Sequence, residues 1–299
     1  GCPLILGKGI GENFLASDVL ALRAVTDRFI YLEEGDLVDL RPDSIDIWNI
    51  DDASVIRADV RVEMEADDME RGNYRHFMQK EMFQQPDVVA RALEGRVGKG
   101  RVLDGALGEG SQDILRQVES VTIVACGTSY LAGSVARYWI EELADLPCQV
   151  EIASEYRYRN PATANNSLFI TISQSGETAD TLAALRLAKE RGFLATLTLC
   201  NVPTSATVRE SDIAMMLNAG TEVGVASTKA FVAQTTALLL VTLLLARQRG
   251  LQPGLEEEIV QQLHQLPEII AALLKLDEPI AKLAEVFSDK EHALYLGRG

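Results

Sequence analysis

Apolar and polar positions change their rhythm twice along the chain. Over residues 1–65, short apolar runs alternate with turn chemistry. Phe29-Ile-Tyr-Leu32, Leu37-Val-Asp-Leu40 and Ile45-Asp-Ile-Trp48 are separated by Glu-Glu-Gly-Asp and Arg-Pro-Asp-Ser. Such runs predict an antiparallel meander. A further strand is predicted at Pro3-Leu-Ile-Leu6, with pairing partners expected upstream of residue 1. Residues 66–118 are glycine-rich and mixed in charge. A helix is predicted from His76 to Gln85, stopping before Pro86, and another over Val88 to Leu93. The segment reads as a linker with helices.

From residue 120 the rhythm becomes regular. Val121-Thr-Ile-Val-Ala125, Gln149-Val-Glu-Ile152, Leu168-Phe-Ile-Thr-Ile172, Leu194-Ala-Thr-Leu-Thr-Leu199 and Ile213-Ala-Met-Met-Leu217 predict five strands. Helices are predicted over Ser129–Leu143 and Glu177–Glu190, and they dominate from Ser227 to Phe287. Near-continuous apolar strands alternating with helices predict an α/β fold, a doubly wound parallel five-stranded sheet covered on both faces. This unit is placed at residues 119–290. Ala293-Leu-Tyr-Leu-Gly297, within 291–299, predicts the first strand of a further domain.

At 299 residues the chain has room for about two domains of roughly 150 residues each. Its net charge of −16 disfavours nucleic acid and anionic membranes as partners. The excess is uneven, since residues 1–75 hold 17 acidic and 8 basic side chains. The acids from Asp67 to Glu70 read as a solvated linker. Cys2, Cys126, Cys148 and Cys200 form no CxxC pair, and with three histidines no zinc-type cluster is predicted. Reduced thiols in a cytoplasmic protein are expected. Ala230–Ala246 is apolar, but it contains Gln234 and threonines and reads as a core helix rather than a membrane span.

In such a sheet, ligands bind at the carboxyl ends of the strands. Two predicted strand ends carry the same kind of loop: Cys126-Gly127-Thr128-Ser129 and Ser173-Gln174-Ser175-Gly176-Glu177-Thr178. Each combines a glycine, small hydroxyls and a helix N-terminus, where free N–H groups and the helix dipole favour an anion. A third loop, Val223-Gly-Val225-Ala226-Ser227-Thr228-Lys229, also leads into a helix, and the three are expected to ring one pocket. Serine and threonine cap helices everywhere, so Thr128 or Ser129 alone reads as structural. Ser173–Thr178 holds more polar groups than one cap requires. Glu177 is expected in a capping or orienting role, and Lys229 is expected to face solvent. Gly7-Lys-Gly-Ile-Gly11 lacks dinucleotide-loop spacing and reads as a turn. Cys126 reads as a small lining residue, and His264 sits on an amphipathic helix with no evident partner.

The combination CGTS, SQSGETADT and GVASTKAF resembles the first sugar-isomerase (SIS) domain of the glutamine–fructose-6-phosphate aminotransferase family, whose SIS domains are flavodoxin-like. YRHFMQKEMFQQP (Tyr74 to Pro86), EIASEYRYR (Glu151 to Arg159) and LGRG fit the same resemblance. It implies phosphate contacts at Ser173, Gln174, Ser175 and Thr178, with Thr128 and Ser129 beside them. Cys126, Gly127, Val225, Ala226 and Ser227 would line the sugar of fructose 6-phosphate. Residues 1–65 would be the last part of an N-terminal-nucleophile glutaminase domain, whose catalytic cysteine is residue 1 of its own chain. Here that place holds Gly1, and Cys2 is internal. The glutamine-binding motifs and the second sugar domain are expected outside this sequence, so no catalytic residue of either half-reaction is assigned.

The family implies glutamine as nitrogen donor, no metal or further cofactor, and a homodimer in which the apolar helix after Ser227 would serve packing. A sugar-phosphate-sensing regulator would need a basic helix-turn-helix, which residues 1–75 do not resemble. A stand-alone phosphosugar isomerase would need an acid–base pair near the pocket, and none is evident.

Overall fold

The computed structural model describes residues 4–17, 19–61 and 70–297. Gly1, Cys2, the acids Asp67 to Asp68 and Met69, and Arg298 lie outside the described residues. The amino-terminal region is an antiparallel four-stranded sheet in the order β2-β1-β3-β6, with β1 Ile5–Lys8, β2 Asn13–Ala16, β3 Arg28–Tyr31 and β6 Asp59–Arg61. The short helix α1, Val19–Leu22, lies between β2 and β3. β4 Leu37–Leu40 and β5 Ile45–Trp48 form a separate hairpin, closed by Arg41 N–H donating to Ser44 O at 3.0 Å.

The predicted meander is thus corrected. All three runs are strands, but β3 leaves β4 and inserts between β1 and β6. Phe29 and Ile30 are buried on opposite faces, which suits a central strand, whereas the turn at 41–44 lets β4 and β5 pair locally. Strand β1 finds both neighbours, β2 and β3, downstream rather than before residue 1. The loop Gly7–Gly11 lies in the β1–β2 hairpin, as its spacing predicted.

Helices α2 Phe77–Phe83 and α3 Gln85–Leu93 follow, with Pro86 in the first turn of α3, where a missing N–H does no harm. A 3-10 turn, Asp104–Leu107, and α4, Ser111–Leu115, lead into the main sheet. Val88, Val89, Leu93, Val102, Leu107 and Leu115 share one hydrophobic core with that sheet. The segment expected as a linker is packed into the α/β unit from α3 onward.

The main sheet is parallel, in the order β11-β10-β9-β7-β8. Its strands are β7 Ser120–Ala125, β8 Cys148–Ile152, β9 Ser167–Ser173, β10 Ala195–Cys200 and β11 Ile213–Met216. The five predicted strands are all present. Alternation within each strand feeds two layers. Ile123, Ile170 and Leu197 face α5 (Gly127–Ala144) and α9 (Lys229–Gln248). Val124 and Phe169 face α6 (Ala153–Tyr156) and α7 (Ala179–Glu190). Helix α8, Ala206–Glu210, joins β10 to β11, and α10, Pro253–Leu274, packs on α3.

Helix α9 is long and apolar enough to cross a membrane, yet 78% of its most apolar window is buried inside this fold. It is covered by the chain's own α5 and α3. Its apolar surface is thus used mostly within the chain's own core. Helix α11, Asp277–Glu285, buries none of its residues. The strand expected over Ala293–Gly297 is irregular backbone; Leu294, Tyr295 and Leu296 are exposed, and no described strand pairs with them.

Candidate functional site

The chain runs from β7 outward to β8, then crosses back over β7 to form β9. This reversal leaves a crevice at the carboxyl ends of β7 and β9, the place where open α/β sheets bind ligands. The ladder pairs Ala125 with Ile172. The next residues, Cys126 and Ser173, therefore lead their loops out side by side, about 5 Å apart by strand spacing.

The second loop is held by its own polar groups. The Ser173 hydroxyl is buried, accepts from Gly176 N–H at 2.9 Å and faces the Thr178 hydroxyl at 3.4 Å. Ser175 Oγ accepts from Glu177 N–H at 3.2 Å. In each case the serine oxygen acts as acceptor, which leaves the Ser175 hydroxyl proton for a ligand oxygen, while the Ser173 and Thr178 hydroxyls can each donate to the other. Gly176 has φ +68, and a Cβ there would lie 2.2 Å from Ser205 Oγ and 2.6 Å from Cys200 Sγ. Glycine is required on both counts.

Neither α5 nor α7 has a side-chain cap from its N-cap residue, Cys126 and Thr178 respectively. Both helices therefore direct first-turn N–H groups into the crevice region with no internal acceptor at the cap. Asp180, the acid in the first turn of α7, is paired with Arg157 at 2.7 Å. Ser129 is turned inward: its hydroxyl accepts from Gln234 Nε2 of α9 at 3.0 Å, while Gly127 and Thr128 are exposed and Cys126 is half-buried.

The third loop is built differently. Glu222 Oε1 accepts from Thr228 N–H at 2.9 Å and Ala230 N–H at 3.1 Å, and Oε2 accepts from the Ser227 hydroxyl at 2.9 Å. The N-terminus of α9 thus already holds a carboxylate of this chain, so it is not a third open anion site. Gln234 lies in the second turn of α9, so its bond to Ser129 brings the start of that helix near the first loop. Val225 and Ala226 are exposed. Lys229 is the clear misplacement. It is buried, and its ammonium donates to Gln84 Oε1 at 2.8 Å, because the junction of α2 and α3 packs over the start of α9.

Glu177 is a cap, but of its neighbour: Oε1 accepts from Ala206 N–H at the start of α8, at 2.8 Å. Burial pushes its carboxyl above the usual carboxylate range, partly offset by that N–H. Burial also raises the Cys148 thiol to about 12 and the Cys200 thiol above its ordinary value. His264 has a partner after all, Gly98 O at 3.3 Å. Two cavities, of about 440 and 390 Å³, open beside Ala195 and Asn166 at the opposite, amino-terminal end of the strands. They do not involve the loops.

Residues 114–244 match the SIS domain family. Glutamine–fructose-6-phosphate aminotransferase [isomerizing] of Pseudomonas syringae pv. tomato is 55% identical over 300 aligned residues, which cover all of this chain and 49% of that one. The same enzyme of Escherichia coli K12 is 54% identical over 299 residues, with the same coverage. This chain is a homologue of these aminotransferases. It spans about half the length of the curated relatives it matches. Among solved structures, the C-terminal domain of glucosamine-fructose-6-phosphate aminotransferase from Francisella tularensis superposes with a TM-score of 0.75 at 44% identity, covering 77% of this chain and 65% of that one. The α/β sheet, the SIS domain and the β-rich amino-terminal region are therefore established together.

Glu81, Gln84 and Glu222 were not singled out from sequence, and Gln234 was noted only as a polar residue within an apolar helix. Glu222 carried a usable signal, an acid just upstream of a helix start. Glu81 and Gln84 carried none, because their partners lie more than 140 residues away.

Proposed function

We propose that this chain is the sugar-phosphate-binding part of a glutamine–fructose-6-phosphate aminotransferase, and that its ligand is fructose 6-phosphate. One observation carries the reading. Two serine/threonine loops, each opening a helix without a side-chain cap, leave adjacent strands at the sheet's reversal point. Such a site neutralises an anion with N–H groups, hydroxyls and helix dipoles, and so suits a chain of net charge −16.

In this reading the phosphate meets Ser173, Gln174, Ser175 and Thr178, with Thr128 and Ser129 beside them. Cys126, Gly127, Val225, Ala226 and Ser227 line the sugar. Glutamine supplies nitrogen to the whole enzyme, which works in the cytoplasm as a homodimer. The exposed stripe Leu131, Val135 and Tyr138 on α5 supports a subunit contact. Residues 1–65 are the end of the glutaminase domain, 66–118 connect it to the SIS unit of 119–290, and 291–299 begin the second sugar domain.

The test is a thermal-shift titration with fructose 6-phosphate, with free fructose as control, on this chain and on Ser175→Ala. Ligand at about 100 times its dissociation constant stabilises the fold by roughly 2.7 kcal/mol. The expected result is a phosphate-dependent shift that Ser175→Ala weakens. A shift that free fructose reproduces, or that Ser175→Ala leaves intact, would overturn the assignment of the serine loop.

A further inference from the structure

We propose that Glu81, on α2, is a positioning residue that sets the loop 223–227 and thereby tunes affinity for the sugar rather than for its phosphate; this rests on the site reading above. Glu81 is only 2% exposed, an unusual place for a carboxylate. Its Oε1 accepts from Val223 N–H at 2.6 Å and from Gly224 N–H at 3.0 Å. One side chain therefore organises two consecutive backbone donors.

The fit is close. A Cβ on Gly224 would lie 2.5 Å from Glu81 Oε2, so a side chain there would push the carboxylate away from the loop. At its far end the loop is fixed by Glu222, through Ser227 Oγ and Thr228 N–H. Val225 and Ala226 span these two anchors with their side chains in the open. Such a span has little packing of its own to fix it, so the anchors decide where it stands. Gln84, next along the chain from α2, secures Lys229 just beyond. Among the described residues, Glu81 makes no hydrogen bond to 126–129 or 173–178. Its influence falls on the sugar-facing loop alone.

The experiment measures dissociation constants for fructose 6-phosphate and for inorganic phosphate by calorimetry, using the full chain as wild type, Glu81→Ala and Glu81→Gln. Glu81→Ala is expected to weaken fructose 6-phosphate binding about tenfold, equivalent to about 1.4 kcal/mol, and to leave the phosphate constant unchanged. Glu81→Gln keeps an oxygen at the position facing both N–H groups and is expected to recover most of the affinity. Equal losses for the two ligands, or no loss for either, would overturn the proposal. If Glu81→Ala does not fold, Gly224→Ala displaces the loop from the other side and is read by the same two constants. A wild type that binds neither ligand sinks the site reading and this inference with it. A wild type that binds beside an unaffected Glu81→Ala sinks this inference alone.

Discussion

The helices that open toward the site divide into two kinds. At α5 and α7 the first-turn N–H groups have no side-chain cap, and the loops before them supply hydroxyls. At α9 the same groups are taken by Glu222, and the loop before it is held on Glu81. Three loops that look alike in composition thus do two different jobs. In the first pair the helix ends have no side-chain acceptor at the cap. The third uses an internal carboxylate to hold a shape. A helix start is evidence for an anion site only after its internal acceptors have been counted.

Substitutions that exchange or remove these arrangements test the contrast. The largest effect is expected at Gly176, where a side chain would need both a left-handed backbone and the space held by Ser205 and Cys200. Gly176→Ala should lower stability by roughly 2–5 kcal/mol, read from urea unfolding of the ligand-free protein. A loss well under 1 kcal/mol would mean that the serine loop rearranges freely, and the geometry drawn for it would not hold.

Next is Glu222→Ala, which strips the carboxylate from α9. About 1–2 kcal/mol of stability should disappear, the usual magnitude for a lost cap at a helix dipole. The same change should leave inorganic phosphate affinity alone. If phosphate bound more tightly in the variant, the uncapped α9 would have become a third anion site, which would sharpen the comparison.

The smallest effect concerns Glu177. Its carboxyl sits above the usual range, chiefly through burial, so the folded protein holds that proton more firmly than the unfolded chain does. The contribution to stability is then fullest below the ordinary carboxylate pKa. It declines as pH rises through the raised folded value. Glu177→Gln retains an acceptor for Ala206 N–H and should flatten that decline in thermal unfolding across the mildly acidic range. A steeper decline in the variant would contradict the assigned sign.

The sheet was legible because its inner strands β7, β9 and β10 are buried on both faces and read as near-continuous apolar runs. The places of the β7 and β9 loops were legible for a related reason: glycine and small hydroxyls follow the end of each apolar run and lead into a helix. Pairing in the amino-terminal region was not legible. Its strands are four residues long or shorter, and nothing in the run Phe29–Leu32 says that β3 prefers β1 and β6 to the adjacent β4. Lys229 failed for a different reason. A lysine at a helix start normally reaches water, and only the fold brings Gln84, far earlier in the chain, over its ammonium. The same long-range closure hid Glu81. Local sequence shows which loops carry polar groups; it does not show which of those groups are already engaged.

The packing of α3 against α9 also has a consequence in time. Val88, Val89, Ala92 and Leu93 emerge from the ribosome long before the helix that covers them. At ordinary rates of synthesis that wait is on the order of ten seconds. Throughout it an apolar face that the finished protein never shows stands open to other chains. The α/β unit therefore cannot be finished in the order in which it is made. Its earliest helix is among the last to be seated, and because α10 packs on that helix as well, a cell that makes this chain quickly has reason to guard it until residue 274 is out.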